Sequence, residues 1–152
     1  MSARRLIAVA GLGSVALLLA AFAFQYVGGL APCKLCLWQR WPHAAAALIA
    51  VIVLSTGWLR LAWLGAAAAL TTAGIGLYHV GVEQGWWEGP TTCSSGPISG
   101  LTADELFDQI LAAPLVRCDE IAWQFIGISM AGWNMIIACV LAALWLTAAR
   151  RV

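Results

Sequence analysis

Residues Leu6–Leu30, LIAVAGLGSVALLLAAFAFQYVGGL, decide the fold class, with Gln25 the one strongly polar side chain among them. Such a run is long enough to cross a bilayer, which takes about 20 apolar residues as a helix. It lacks the strict alternation of a barrel strand, so a helix is expected. Three further apolar runs follow at about Trp41–Leu59, Leu61–Val80 and Ile121–Ala149. The last is longer than a span needs and is expected to tilt or extend into the interface. The 152-residue chain is 62% hydrophobic and 10% charged, where a soluble domain carries about 25% charged residues. Four spans consume about 80 positions, and the remainder cannot build a separate soluble domain of ordinary size. The apolar excess and a net charge of +1 exclude disorder, a nucleic-acid-binding tail and an acidic coat. The expectation is an all-α membrane protein, a four-transmembrane-helix bundle forming a single integral membrane domain over residues 1–152. Its helices fall at about 6–30, 41–59, 61–80 and 121–149, and its outer loops at about 31–40 and 81–120. Arg4-Arg5 and Ala21-Phe22-Ala23 hint at a cleaved signal peptide. The apolar run exceeds the roughly 7–15 residues of a signal core, so the helix is read as retained.

Charge placement sets the expected orientation. Arg4, Arg5, Arg60, Arg150 and Arg151 fall at the two termini and the turn between the second and third spans. Only Lys34, Arg40 and Arg117 fall on the other side, together with all seven acidic residues. The excess of Lys and Arg places both termini in the cytoplasm and the two loops outside. Trp38, Trp41, Trp86, Trp87 and Trp123 fall at interface levels and are read as anchors rather than a cofactor box. Within the long loop, Thr102-Ala103-Asp104-Glu105 has the form of a capping box, with Leu101 and Leu106 placed as a hydrophobic staple. Leu106, Phe107, Ile110 and Leu111 then share a face and Pro114 ends the segment, so a short interfacial helix is expected.

Four of the five cysteines lie on the outer side: Cys33 and Cys36 in the short loop, Cys93 and Cys118 in the long one. Cys139, within the fourth span, is read as a small apolar core residue. In an oxidising compartment the outer four can hold disulfides. Cys33-Lys34-Leu35-Cys36 can be redox-active, can supply half a zinc site completed by Cys93 and Cys118 or His43, or can be structural. Exposed thiolates in such a compartment are prone to oxidation, which weighs against zinc. The loop closed by two such near neighbours is too small to make an effective staple, whereas Cys93–Cys118 would make a respectable one. Spacing and topology thus favour redox chemistry and leave the other two uses open. Cys36 falls near the start of the second helix, where backbone N–H groups and Arg40, one turn on, favour a thiolate. Pro42 suits a first helical turn and would disturb a helix begun at Cys33. Poised at the membrane surface, the pair is within reach of an electron acceptor dissolved in the bilayer.

These residues resemble a known family. Phe24-Gln25, then Pro32-Cys33-Lys34-Leu35-Cys36 and Gln39-Arg40, are similar to the first outer loop of the bacterial disulfide-bond formation protein B (DsbB) family. Gly89-Pro90-Thr91-Thr92-Cys93 resembles the region of its third cysteine. Cys118-Asp119-Glu120, Trp123-x-Phe125-x-Gly127-x-x-Met130 and Trp133 resemble its entry to the fourth helix. Topology, loop lengths and cysteine order agree along essentially the whole chain. Two departures are mild: Gln39 stands where some members have an acidic residue, and Lys34 places a charge between the paired cysteines.

The resemblance implies a thiol:quinone oxidoreductase of the bacterial inner membrane. It would reoxidise a soluble periplasmic thioredoxin-fold oxidase of the DsbA type and reduce ubiquinone or menaquinone. Cys93 would form the mixed disulfide with that partner, Cys118 would be its disulfide mate, and Cys33 would exchange with Cys118. Cys36 would stand next to the quinone. Arg40 would sit by the quinone ring, His79 would line the same site, and Gln25 has a weaker claim to it. Exchange between the pairs needs a thiolate in line with a sulfur, so one loop is expected to move toward the other, with Gly96, Pro97 and Gly100 near Cys93 supplying the freedom. The partner couple lies near −120 mV, so an acceptor of higher potential must drive the chain. No Gly-rich phosphate loop or haem-attachment motif is present. Arg40 has an alternative use as an interfacial anchor, His79 as a hydrogen-bonded helix-end residue, and His43 is read as interfacial packing. Gly81-x-x-x-Gly85 is a weak helix-contact motif. Two other readings compete: a vitamin K epoxide reductase-like quinone-linked thiol oxidoreductase, and a non-catalytic tetraspan with stapled or metal-binding loops.

Overall fold

A computed structural model describes residues 1–90, 93, 102–112 and 116–151. Four of its helices are long and apolar enough to cross a membrane. Helix α1 spans Ala3–Tyr26, with the Ser2 hydroxyl accepting from the Arg5 N–H at its start. Helix α2 spans Lys34–Thr56 and stops at Gly57, whose φ of 78° provides the left-handed cap that terminates many helices. A single 3-10 turn, Leu59–Leu61, leads into α3, Ala62–Glu83. The short α4 spans Ala103–Ala112. A two-stranded hairpin, β1 (Gln124–Phe125) and β2 (Ile128–Ser129), pairs Gln124 with Ser129 and Phe125 with Ile128. It feeds directly into α5, Met130–Ala149, where the Ser129 hydroxyl accepts from the Gly132 N–H at 3.1 Å. The four-helix bundle is as expected from the sequence.

Lipid tails are as apolar as the helices, so association depends on close packing and interhelical hydrogen bonds, which favours small residues at the seams. Ala10, Ala50, Ala66, Ala69 and Ala142 meet in one core around Ile7, Val53 and the fully buried Trp145. Trp145 lies directly over Gly65, where an added Cβ would stand 2.5 Å from the indole ring. At this end Arg4 donates to the Leu54 carbonyl and Arg151 to the Met1 carbonyl, so the basic termini gather against the exit of α2. The second core, at the opposite end, contains Cys33, Leu35, Val82, Cys93 and Cys118.

Several boundaries differ from the expectation. Helix α1 ends at Tyr26 rather than near residue 30, because Val27, Gly28 and Leu30 fold their N–H groups back onto carbonyls of Ala23 and Phe24. Helix α2 begins at Lys34, not near 41, and absorbs most of the supposed short loop. Cys33 makes this possible by acting as N-cap, its sulfur accepting from the Cys36 N–H at 3.2 Å, while Pro42 is accommodated inside the helix. Helix α3 runs on to Glu83, three residues beyond the expected end. The fourth span begins at Met130, and residues 121–129 are an extended entry and hairpin instead of helix. Thr102 and Glu105 form the expected capping box, with hydrogen bonds of 2.7–3.4 Å. The Thr102 N–H and hydroxyl hold the Glu105 carboxyl below its ordinary value. Leu101 of the staple, Pro114, Thr91, Thr92, Gly96, Pro97 and Gly100 lie outside the described residues.

Candidate functional site

The Cys33-Lys34-Leu35-Cys36 segment starts a helix, and that geometry brings its sulfurs together: Cys33 Sγ and Cys36 Sγ are 2.8 Å apart, both free thiols. Cys33 is buried and Cys36 partly so. The Cys33 thiol is pushed above its ordinary value by its hydrogen bond to the Cys36 sulfur and by burial. Cys93 and Cys118 form a disulfide across 25 residues, with Cα atoms 5.3 Å apart. The Cys118 N–H donates to the Cys93 carbonyl at 2.7 Å, which fixes the two backbones side by side. The Cys118 sulfur, the Cys33 sulfur and a ring nitrogen of His79 all lie within 4.8 Å of one another. The two cysteine pairs are thus already adjacent, and the loop movement expected to join them is not required by this arrangement. Arg117 grips Asp119 through two bonds of 2.6 and 3.0 Å and holds that carboxyl below its ordinary value. This clamp brackets Cys118 along the chain.

A cavity of about 410 Å³ opens beside the thiols, within the usual size range for small-molecule sites. Leu17, Leu18, Phe24 and Ile137 contribute apolar walls, and Cys36, Arg40, His79 and Glu83 contribute the polar points. Arg40 Nη1 donates to Gln25 Oε1 at 2.6 Å, and the guanidinium lies 5.0 Å from the Phe22 ring centre. Its Nε is buried without a hydrogen-bond partner, as is Glu83 Oε2. Gln25 therefore orients Arg40 rather than lining the cavity itself. His79 Nε2 lies 3.6 Å from Cys33 Sγ and 3.8 Å from Glu83 Oε1, while Gln39 Nε2 meets His79 Nδ1 at 3.0 Å.

All seven residues expected at the site from sequence are therefore in this region. Other expectations change. His43 is buried, not interfacial, and stands 2.9 Å from Asn134 Oδ1 and 3.4 Å from Ser14 Oγ. It is not in the Cys33–His79–Cys118 cluster, so it does not complete a zinc site there; Cys118 is committed to its disulfide. Trp123 lines the cavity and packs 5.0 Å from Phe24, centre to centre, beyond a simple anchoring role. Cys139 is exposed on the outer surface of α5 rather than in the core. Gly81 lies beneath the Trp87 indole at the end of α3, and Gly85 adopts φ of 68°, so this motif shapes a helix exit instead of a helix contact. Glu83, Asn134, Thr72 and Ser14 are site or near-site residues that the sequence reading missed. The only signal of Asn134, Thr72 and Ser14 was polarity within apolar runs, and Glu83 fell just past the expected end of the third span.

Comparison with known proteins supports the resemblance drawn from the motifs. Residues 3–148 match the family described as Disulfide bond formation protein DsbB. A Disulfide bond formation protein B from Albidiferax ferrireducens is 32% identical, the match covering 99% of this chain and 92% of that protein. One from Methylococcus capsulatus is 35% identical over 89% of this chain and 87% of its own length. No solved structure gives a significant match. With four membrane-spanning helices and a whole-length match, the chain is a multi-pass membrane protein that belongs to the DsbB family of disulfide bond formation oxidoreductases.

Proposed function

We propose that the protein is a thiol:quinone oxidoreductase of the bacterial inner membrane that reoxidises a periplasmic thioredoxin-fold oxidase of the DsbA type. The observation that carries this reading is the placement of the Cys33–Cys36 pair in the wall of an apolar cavity, with the Cys118 sulfur of the second pair within 4.8 Å of Cys33. A reduced partner's thiolate attacks Cys93 and the Cys93–Cys118 bond breaks, leaving the electron pair on Cys118. The Cys118 thiolate then attacks Cys33 of an oxidised Cys33–Cys36 pair, forming Cys33–Cys118 and freeing Cys36 as a thiolate beside the cavity. The partner's second thiolate attacks its own sulfur in the mixed disulfide, which frees the oxidised partner and leaves Cys93 as a thiolate. Cys93 then attacks Cys118, re-forming Cys93–Cys118 and releasing Cys33, so the electron pair ends on a reduced Cys33–Cys36 pair beside the cavity.

The residues present fit a lipid-soluble quinone, ubiquinone or menaquinone. The cavity is apolar, and the buried, unpartnered Arg40 Nε offers a donor where a carbonyl oxygen needs one. A quinone supplies a two-electron sink for the thiol pair. Arg40 would bind and orient it from α2, held by Gln25, and the His79–Glu83 side would bound the cavity near the sulfurs. Trp123 and Phe24 would exclude water from the ring. The test is oxidation of a reduced thioredoxin-fold dithiol by the purified protein with added quinone, with each of the four cysteines replaced by Ser in turn. Each replacement is expected to abolish quinone-dependent turnover. Cys118→Ser, whose Cys93 is a free thiol, should also trap the oxidised form of the partner on Cys93, visible on a non-reducing gel. Turnover surviving Cys36→Ser would overturn the reading.

A further inference from the structure

Polar side chains from all four long helices, buried except for the half-buried Asn134, form a chain of hydrogen bonds that ends at the Cys33 sulfur. Ser14 of α1 meets His43 Nδ1 of α2 at 3.4 Å, and His43 Nε2 meets Asn134 Oδ1 of α5 at 2.9 Å. Asn134 Nδ2 donates to Gln39 Oε1 of α2 at 2.7 Å, Gln39 Nε2 meets His79 Nδ1 of α3 at 3.0 Å, and His79 Nε2 lies 3.6 Å from Cys33 Sγ. Amide and imidazole orientations are ordinarily assigned from their surroundings, and here the backbone dictates them. Gln39 Nε2 also faces the Leu35 carbonyl at 3.2 Å, which accepts only, so the amide nitrogen must be on that side and His79 Nδ1 must accept. Thr72 spends its proton on the Gln39 carbonyl at 3.0 Å, so its oxygen accepts from Asn134 Nδ2 at 3.3 Å. Asn134 Oδ1 is then left to accept from His43 Nε2–H. On the far side of His79, the Cys118 backbone and the Glu83 carboxylate are further acceptors for a ring N–H.

We infer that this relay runs in one direction, Ser14 to His43 to Asn134 to Gln39 to His79, and fixes neutral His79 as an Nε2–H donor to the Cys33 sulfur rather than as a base. Asn134, Gln39 and His43 are positioning residues acting through His79. Hydrogen bonds aligned in one sense polarise each other in a buried setting, and an N–H aimed at a sulfur stabilises its thiolate. The relay therefore offsets the burial and the Cys36 contact that keep the Cys33 thiol protonated, and favours Cys33 as leaving group and nucleophile in exchange with Cys118. The inference rests on the proposed redox use of Cys33, but its chemistry needs neither quinone nor partner.

The test measures the pH dependence of Cys33 alkylation by iodoacetamide in full-length protein carrying Cys36→Ser, with the Cys93–Cys118 disulfide intact. Among the described residues, the other titratable or charged groups lining the cavity with Cys33 are Arg40 and His43 of α2, His79 and Glu83 of α3, and Arg117 and Glu120 before β1. Adding Asn134→Leu, which keeps the branched shape but cannot hydrogen-bond, leaves all of these in place. The midpoint is expected to rise by about half a pH unit or more, roughly a threefold fall in rate below it. An unmoved midpoint in a folded variant overturns the inference. Should Asn134→Leu fail to fold, nitrogen NMR of tag-free, histidine-labelled protein with the native cysteines decides. Both histidines, His43 and His79, are expected in the Nε2–H form, so a proton on Nδ1 of either overturns the relay. Loss of quinone-linked oxidation with these two results unchanged would bear on the proposed function alone.

Discussion

Arg40 and Gln39 are neighbours in sequence, yet α2 turns them to different tasks. Gln39 faces inward to His79 and Asn134, and Arg40 faces the cavity and Gln25. Burying a guanidinium donor without a partner costs free energy unless a ligand supplies an acceptor. Arg40→Leu is accordingly expected to raise the quinone KM by roughly tenfold, about 1.4 kcal/mol of lost binding, with little loss of fold. Arg40→Lys should recover only part, since it keeps the charge but loses the planar fork and Nε. Steady-state kinetics against quinone concentration checks both, and an unchanged KM in Arg40→Leu would separate Arg40 from the site. Residue by residue, the sequence was legible where a motif fixed the spacing, at the four outer cysteines and Arg40, and at His79 only through the family resemblance. Asn134, Thr72 and Ser14 were not legible, because an isolated polar residue in an apolar run acquires meaning only when a neighbouring helix supplies its partner. His43 was misplaced for the same reason, as its acceptor lies 91 residues away. Glu83 was missed because the expected span stopped at Val80 and left it in the outer loop.

At the scale of elements, the clearest departure is the segment 121–129. Its residues Ile121, Phe125, Ile126 and Ile128 are apolar enough to read as the first turns of a span, and strands of two residues are too short to display a period. The hairpin they form turns on Ile126 and Gly127, with φ of 53° and 73°. Two successive positive φ angles match the tight turn that favours Asn-Gly, and a β-branched residue in the first place is strained. Ile126 is 77% exposed, so little packing holds it there. Ile126→Asn is expected to stabilise the protein by about 1 kcal/mol, the scale of the left-handed penalty it relieves. A rise in Tm in detergent would show this, whereas a fall would mean that the isoleucine is held by lipid contact worth more than the strain. The hairpin also sets the start of α5 through Ser129, and hence the height at which Asn134 meets Gln39. The early start of α2 has a comparable consequence. With Cys33 as cap, the thiol pair becomes part of a rigid helix end rather than a loose loop.

Taken as a whole, the molecule has two chemically different ends, and its orientation is the property on which its use of disulfides depends. At one end Arg4 donates to the Leu54 carbonyl in the last turn of α2, where its positive charge complements the helix terminus, and Arg151 ties the end of α5 to Met1. The other end carries both cysteine pairs, the Arg117–Asp119 clamp and the acidic first turn of α4. This polarity was legible in the sequence, since arginine placement does not depend on helix boundaries being right to the residue. Cytoplasmic thiol buffers would reduce a Cys93–Cys118 pair that faced inward, so the function requires the cysteine end outside. The prediction is that a single cysteine placed at Asp108 in α4 reacts with a membrane-impermeant maleimide on intact spheroplasts. One at Thr56, beside Gly57 at the arginine end, should react only after lysis. Both positions are exposed, and Cys33, Cys36 and Cys139 are replaced by Ser in this experiment so that the Cys93–Cys118 disulfide is the only native cysteine pair left. Moving charge should move the result: replacing Arg4, Arg5 and Arg60 together by Gln leaves two basic residues inside against three outside, reverses the excess, and is expected to yield a population labelled at Thr56 from outside. Labelling at Thr56 in the unaltered charge background would place the thiols in the reducing compartment and end the proposed role.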